Sequence, residues 1–238
     1  DSECIAIFKI LNSLRKKQKK QLVLLETGSG ASTLAMFLHC ALFGGTMYSW
    51  DTNASKGSFL RSVISDSIGK ILKVDVNKIW NFIPFNSTDP NVGIRVLKEL
   101  KKKADFCFFD SWHTLNHIMF ELKEFEKVSS ARFVVAFDDA YYTTKHTNYS
   151  YINMLRAKLN LKKVKEPANN ICKPFHIEIE NYLNKKYKKV SKIKDFYKGL
   201  YKKDIFFEYF SSDRKFMNKI GMEKRNKLVH RFDAFIIG

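Results

Sequence analysis

The sequence reads as an α/β protein built on a doubly wound, mostly parallel sheet of seven strands, with helices on both faces and a basic C-terminal insertion. Three observations lead there. Five short apolar runs alternate with stretches of helical periodicity. The runs are continuously apolar, as strands covered on both faces are. Four strand ends carry an acid or a glycine turn: Glu26-Thr27-Gly28-Ser29-Gly30, Asp51, Asp110 and Asp138-Asp139. Strands separated by helices imply right-handed crossovers and a sheet covered on both sides.

Ile5 to Leu14 places Ile7, Ile10, Leu11 and Leu14 at helical spacing, and Arg15 to Lys20 is the basic end that a helix C-terminus prefers. Leu22 to Leu25 is the first strand. Ser32 to Cys40 is an apolar helix stopped by Gly44-Gly45. Thr46 to Trp50 is the second strand, Phe59 to Leu72 a helix, Ile79 to Phe85 the third strand, and Val92 to Lys103 a helix with a basic tail. Phe106 to Phe109 is the fourth strand. Leu115 to Val128 is a helix with an acidic face of Glu121, Glu124 and Glu126. Phe133 to Phe137 is the fifth strand and Tyr151 to Leu161 the next helix. Residues 1–165 form the core in this reading, and 166–238 complete the sheet. In that last part Phe175 to Ile179, Ile205 to Phe210 and Phe232 to Ile237 all look like strands, where the sheet has room for about two. The basic insertion spans about 181–204. Asn184 to Lys203 holds nine lysines and one acid, Asp195, interleaved with Tyr187, Phe196, Tyr197 and Tyr201. It suits a lid helix, a binding arm or a solvated insertion.

The chain has 238 residues, 45% apolar and 28% charged, enough for a sizeable core and too apolar for wholesale disorder. No apolar stretch reaches the roughly 18 residues that span a bilayer. The longest, Leu34 to Phe43, is broken by His39. Nothing at the N-terminus reads as a signal peptide. The chain starts at Asp1 and not at Met, which implies a trimmed fragment. Cys4, Cys40, Cys107 and Cys172 lie far apart, with no CxxC pair. That argues against a zinc site or disulfide framework and for a reducing cytoplasm. The net charge is +18, and residues 151–238 carry 22 Lys and Arg against nine Asp and Glu. Such a field attracts nucleic acid, acidic lipid or an anionic substrate. The composition of an AT-rich genome is the plainer explanation.

In an open α/β sheet, ligands bind beyond the C-terminal strand ends. The glycine turn lets backbone pass close to a ligand, and the following helix offers free N–H groups to an anionic end. Asp51 lies 21 residues past Gly30, where a carboxylate can accept ribose hydroxyls. The dinucleotide fingerprint is not met, because Thr33 stands at its third glycine, and no Walker lysine is present.

Glu26-Thr27-Gly28-Ser29-Gly30-Ala31-Ser32-Thr33 resembles the first motif of class I S-adenosylmethionine-dependent methyltransferases, which have a Rossmann-like fold. Its Ser-Thr ending is similar to the branch of small-molecule and sugar O-methyltransferases. Phe108-Phe109-Asp110-Ser111-Trp112-His113-Thr114 looks like that branch's fourth-strand motif, and Val134-Val135-Ala136-Phe137-Asp138-Asp139 like its fifth. The resemblance covers about residues 1–160. It implies that Gly28 and Gly30 approach the methionine portion of S-adenosylmethionine, with Ser32 or Thr33 on its carboxylate. It implies further that Glu26 supports the turn, Asp51 takes the ribose, and Asn86 and Ser87 meet the adenine.

Carboxylates gathered at one cleft repel one another unless a cation joins them, and Mg²⁺ prefers such oxygen ligands. Asp110, Asp138 and Asp139 match the positions where metal-dependent relatives place acids. The alternative for Asp139 is a helix cap. Asp110 and His113 are the catalytic candidates, His113 as general base on an acceptor hydroxyl or as a turn residue bonded to backbone. Trp50 and Trp112 flank the cleft. The reading is O-methylation of a small molecule or glycan. An RNA methyltransferase using the basic third, or a non-catalytic nucleotide- or RNA-binding module, are the alternatives. No amino-methylating motif follows the fourth strand, which argues against base N-methylation.

Overall fold

In a computed structural model, residues 2–140, 144–145, 156–162, 164, 171–172, 175–193 and 233–238 are described. Helix α1 (Ser2–Gln18) leads into β1 (Leu22–Thr27), α2 (Ala31–Phe43) and β2 (Gly45–Trp50). Helix α3 (Ala54–Ile64) starts where the Asn53 side chain accepts the Lys56 N–H, five residues before the expected Phe59. It runs on through a π turn (Ser65–Gly69) and Lys70–Leu72. Then come β3 (Trp80–Ile83), β4 (Ala104–Phe109), α4 (Leu115–Val128) and β5 (Ser129–Phe137). Helix α5 (His176–Lys186), β6 (Val190–Lys192) and β7 (Asp233–Ile237) complete the main elements.

The seven strands lie in the order β3-β2-β1-β4-β5-β7-β6. β1 to β5 are parallel, and β7 enters antiparallel between β5 and β6. The period-2 alternation of strand side chains divides the core. Leu24, Met47, Phe106, Val134 and Ala136 pack under α1 and α2 with Ile7, Leu11, Met36 and Phe37. Leu25, Cys107, Phe109, Val135 and Phe137 face the other way, onto Ile118, Leu122 and Phe125 of α4 and Ile179 and Leu183 of α5. Both faces are covered, as the continuous apolar runs require. No helix among the described residues is long and apolar enough to cross a membrane.

Several expected elements differ. Phe175 to Ile179 is not a strand but the start of α5. His176-Ile177-Glu178-Ile179-Glu180 alternates like a strand, yet Ile179 and Leu183, four apart, are the buried pair. Val92 to Lys103 is helical only at Val96–Glu99, because Gly93 is wedged against the backbone of Ser87 and Asp89. The expected insertion at 181–204 begins inside α5 and contains β6, whose Lys192 is paired with Asp233 at 2.7 Å and Glu180 at 3.3 Å. Ile205 to Phe210, all of residues 194–204 and the N-terminal half of the Tyr151 helix lie outside the described residues; 156–158 are helical. A short antiparallel pair, Thr144–Lys145 with Ile171–Cys172, was not expected.

Candidate active site

The sheet order reverses between β1 and β4, and the crevice there is where an open α/β sheet binds ligands. Gly28 ends β1 with φ of 83°. A Cβ there would lie 2.0 Å from the Asp110 carbonyl oxygen, so glycine is what lets β1 and β4 close up at the crevice. Gly30 has open space around it, room for a ligand rather than for a neighbour.

Glu26 is fully buried beneath this turn. Its carboxylate accepts hydrogen bonds from Ser49 Oγ (2.6 Å), Thr33 Oγ1 (2.6 Å) and Ser32 Oγ (3.0 Å). Burial pushes its pKa up to about 7, against the pull of those three hydroxyls and of Lys56. The Ser32 and Thr33 hydroxyls, expected on the methionine carboxylate, therefore spend their hydrogens inward on Glu26. Thr33 Oγ1 also accepts the Gly30 N–H at 2.9 Å. A ligand carboxylate needs donors, and the first-turn N–H groups of α2 are better placed to supply them.

Asp51 follows β2. Its Oδ2 accepts from Ser29 N (3.0 Å), Ser29 Oγ (2.8 Å) and Lys56 Nζ (2.9 Å), and its Oδ1 only from Asn53 N (2.9 Å). Burial would raise its pKa, but these donors outweigh it and hold the carboxyl ionised below its ordinary range. Oδ1 keeps the capacity to accept a ribose hydroxyl, whereas a contact to Oδ2 requires Lys56 to withdraw. Asp51, Lys56, Phe85, Asn86, Ser87, Ser111 and Trp112 line a cavity of about 280 Å³, together with Gly28, Trp50 and Asp110. Phe85 and Trp112 are exposed aromatic faces on it, whereas the Trp50 indole is buried and donates to the Val92 carbonyl at 2.8 Å. Asn86 Oδ1 caps its own turn, accepting from Thr88 N (3.0 Å) and Thr88 Oγ1 (2.8 Å).

Beside this cavity Asp110, His113 and Asp138 bring one donor atom each within 4.8 Å of one another. His113 Nε2 is 3.5 Å from Asp110 Oδ1. Burial, then the adjacent Asp138, push the Asp110 pKa up to about 9, with Glu26 and Asp139 adding to the rise. Asp138 Oδ1 and His113 Nδ1 are buried with no hydrogen-bond partner. The expected third acid, Asp139, is not in this group. The chain turns there through a left-handed conformation (φ 50°), and His113 takes the third place. The donor set, two carboxylates and an imidazole with orphaned buried atoms, fits a divalent cation.

No family model and no curated protein matches the sequence. Solved structures do. Magnesium protoporphyrin IX methyltransferase (ChlM) from Synechocystis PCC 6803 with bound SAH superposes with a TM-score of 0.52 at 8% identity, over 100% of this chain and 84% of that one. The plantazolicin methyltransferase BpumL, in complex with a triazolic desmethylPZN analog and SAH, gives 0.50 at 11% identity, over 99% and 84%. The fold is that of the S-adenosylmethionine-dependent methyltransferases.

Within this methyltransferase fold, the glycine turn, Asp51, Asn86, Ser87 and Asp110 meet around one cavity. Sequence reasoning placed Glu121 on the acidic face of its helix and gave it no role in the site. It is fully buried under the loops that line the cavity, and His117 Nε2 lies 3.3 Å from its Oε1. Lys56 was missed as well; nothing in the sequence marks it except its position five residues beyond Asp51. Glu126, the third residue of that supposed face, binds Tyr182 OH (2.8 Å), Tyr187 OH (2.8 Å) and Lys186 Nζ (2.5 Å), tying α5 to α4.

Proposed function

We propose that the chain transfers a methyl group from S-adenosylmethionine to a hydroxyl of a small molecule or glycan. The observation that carries this reading is the convergence of Asp110, His113 and Asp138 at the edge of the cavity that Asp51, Asn86 and Ser87 line. The cofactor, when bound, supplies an electrophilic methyl on its sulfonium. Asp51 would take the ribose through Oδ1, Asn86 and Ser87 would meet the adenine, and Gly30 with the α2 N-terminus would receive the methionine end. Glu26 supports that turn from below. The protein's part is then alignment and deprotonation.

Asp110, Asp138 and His113 would hold Mg²⁺, which when bound supplies charge that lowers the pKa of an acceptor hydroxyl. Without a metal, His113, whose Nε2 lies 3.5 Å from Asp110 Oδ1, is the group placed to accept the acceptor's proton. We further propose residues 1–165 as the cofactor-binding core and 166–238 as the part completing the sheet. A cytoplasmic location is part of the same proposal, on the wide spacing of the four cysteines in the sequence. A nucleic-acid acceptor has less behind it, since Lys186 and Lys192 of the basic segment are already held in ion pairs with Glu126 and Asp233.

The test is calorimetric titration of S-adenosylhomocysteine, followed by methyl-transfer assays on hydroxyl acceptors with and without chelator. Micromolar binding is expected, and tighter binding of NADH would overturn the reading. If the metal assists, chelator abolishes turnover, Mg²⁺ restores it, and Asp138→Asn costs turnover far more than cofactor affinity. Full activity in chelator, with a loss of roughly 10²–10⁴-fold in His113→Ala, would leave a histidine-base enzyme without metal.

A further inference from the structure

We propose that Glu121 is a positioning residue that sets the adenosine side of the cofactor cavity. The proposal rests on the reading of that cavity given above. Glu121 sits on α4, one layer behind the site, and is fully buried. Three hydroxyl donors from three separate segments converge on its carboxylate, with a histidine beside it. Thr27 Oγ1, at the end of β1, donates to Oε2 at 3.2 Å. Ser111 Oγ, just after β4, lies 2.8 Å from Oε1 and 2.9 Å from Oε2. Ser87 Oγ, in the loop after β3, donates to Oε1. His117 Nε2, one helical turn back, is 3.3 Å from Oε1.

The pattern is unlike an ordinary core polar group. A buried carboxylate is costly unless several donors meet it. Here two of those donors, Ser87 and Ser111, belong to loops that have no regular secondary structure to fix them. Both are themselves walls of the cavity. Glu121 therefore fixes how far the Asn86-Ser87 loop stands from the Asp110-Ser111 loop, and that spacing is the width of the adenosine slot. The methionine end is governed elsewhere, by Glu26 and the α2 N-terminus. Loss of Glu121 should accordingly be felt by the adenosine half of a ligand whether or not the amino-acid half is present.

The experiment titrates S-adenosylhomocysteine and 5′-methylthioadenosine, which lacks the amino-acid arm, into wild type and Glu121→Gln. Both are measured well below their unfolding midpoints. The expected result is a loss of about tenfold or more for both ligands, of similar size for each, because a charged acceptor of several hydrogen bonds is gone. A purely structural role would lower the unfolding midpoint and leave the affinity of the folded protein intact, which overturns the proposal. So does a loss confined to S-adenosylhomocysteine. If Glu121→Gln does not fold, the double variant Ser87→Ala/Ser111→Ala cuts the same two loop tethers and should show the same paired loss; wild-type affinity there overturns the proposal. Failure of either ligand to bind wild type would instead sink the cofactor reading and this inference with it.

Discussion

Glu26→Gln isolates one buried charge. Glu26 has no solvent contact, and burial raises its pKa from 4.5 to about 7 despite three hydroxyl donors and Lys56. The folded state therefore holds a proton that the unfolded chain releases near pH 4.5. The stabilisation this gives is complete below pH 4.5 and is lost as pH rises through 7. A rise of that size corresponds to about 3 kcal/mol in all. Glutamine keeps the shape and an acceptor oxygen for Ser32, Thr33 and Ser49, whose hydroxyls can reorient, but does not titrate. Urea unfolding of wild type and variant at pH 5, 6, 7 and 8 measures the difference directly. The stability of wild type relative to the variant should fall by about 2–3 kcal/mol from pH 5 to pH 8, most steeply between pH 5 and 7. A difference that stays flat across this range would refute the reasoning, since it would mean that Glu26 ionises as readily in the fold as out of it.

Asp51→Ala should weaken S-adenosylhomocysteine binding by on the order of 2 kcal/mol in a calorimetric titration, through loss of a charged acceptor. Gly28→Ala drives a Cβ into the Asp110 carbonyl at a positive φ, so its urea midpoint should drop by the equivalent of about 3 kcal/mol or more. Gly30→Ala, with open space and extended backbone, should stay within about 0.5 kcal/mol of wild type and lose cofactor affinity instead. Glu126→Ala leaves two half-buried tyrosine hydroxyls and the exposed Lys186 without their acceptor; a loss of about 1–2 kcal/mol is expected, with hydrogen exchange in α5 rising first.

The parallel half of the sheet was legible because its strands are buried on both sides, leaving unbroken runs such as Phe106 to Phe109. The acids and the glycine turn at their ends then marked the crevice. Failures came where local pattern and tertiary demand part. His176 to Glu180 alternates like a strand, yet docks as a helix because Leu183 extends its buried stripe. Val190–Lys192 is too short and too polar to announce a strand, and it exists because β7 is there to pair with it. Glu121 and Glu126 look like solvated charges by spacing alone, since their partners lie up to 94 residues away. Asp110, Asp138 and Asp139 were expected together, but the left-handed turn at Asp139, with His113 in the third place, has no readable signal.

The placement of β7 has a consequence for how the chain is made. The strand that fills the slot between β5 and β6 comes from residues 233–237, far downstream of both neighbours. A ribosome delivers β5 and β6 first, and neither has its proper neighbour until that segment emerges. Meanwhile Phe133 to Phe137 presents an open, strongly apolar border able to zip onto another nascent chain. Sealing waits on a contact of nearly 100 positions' separation, the kind that folds slowly because a long loop must close first. A chain cut short at residue 232 would keep the crevice, with its glycine turn and acids, but would carry a sticky border beside it. Its fate should be association into sheets of several molecules, so that β7 acts as a seam over the open side of β5.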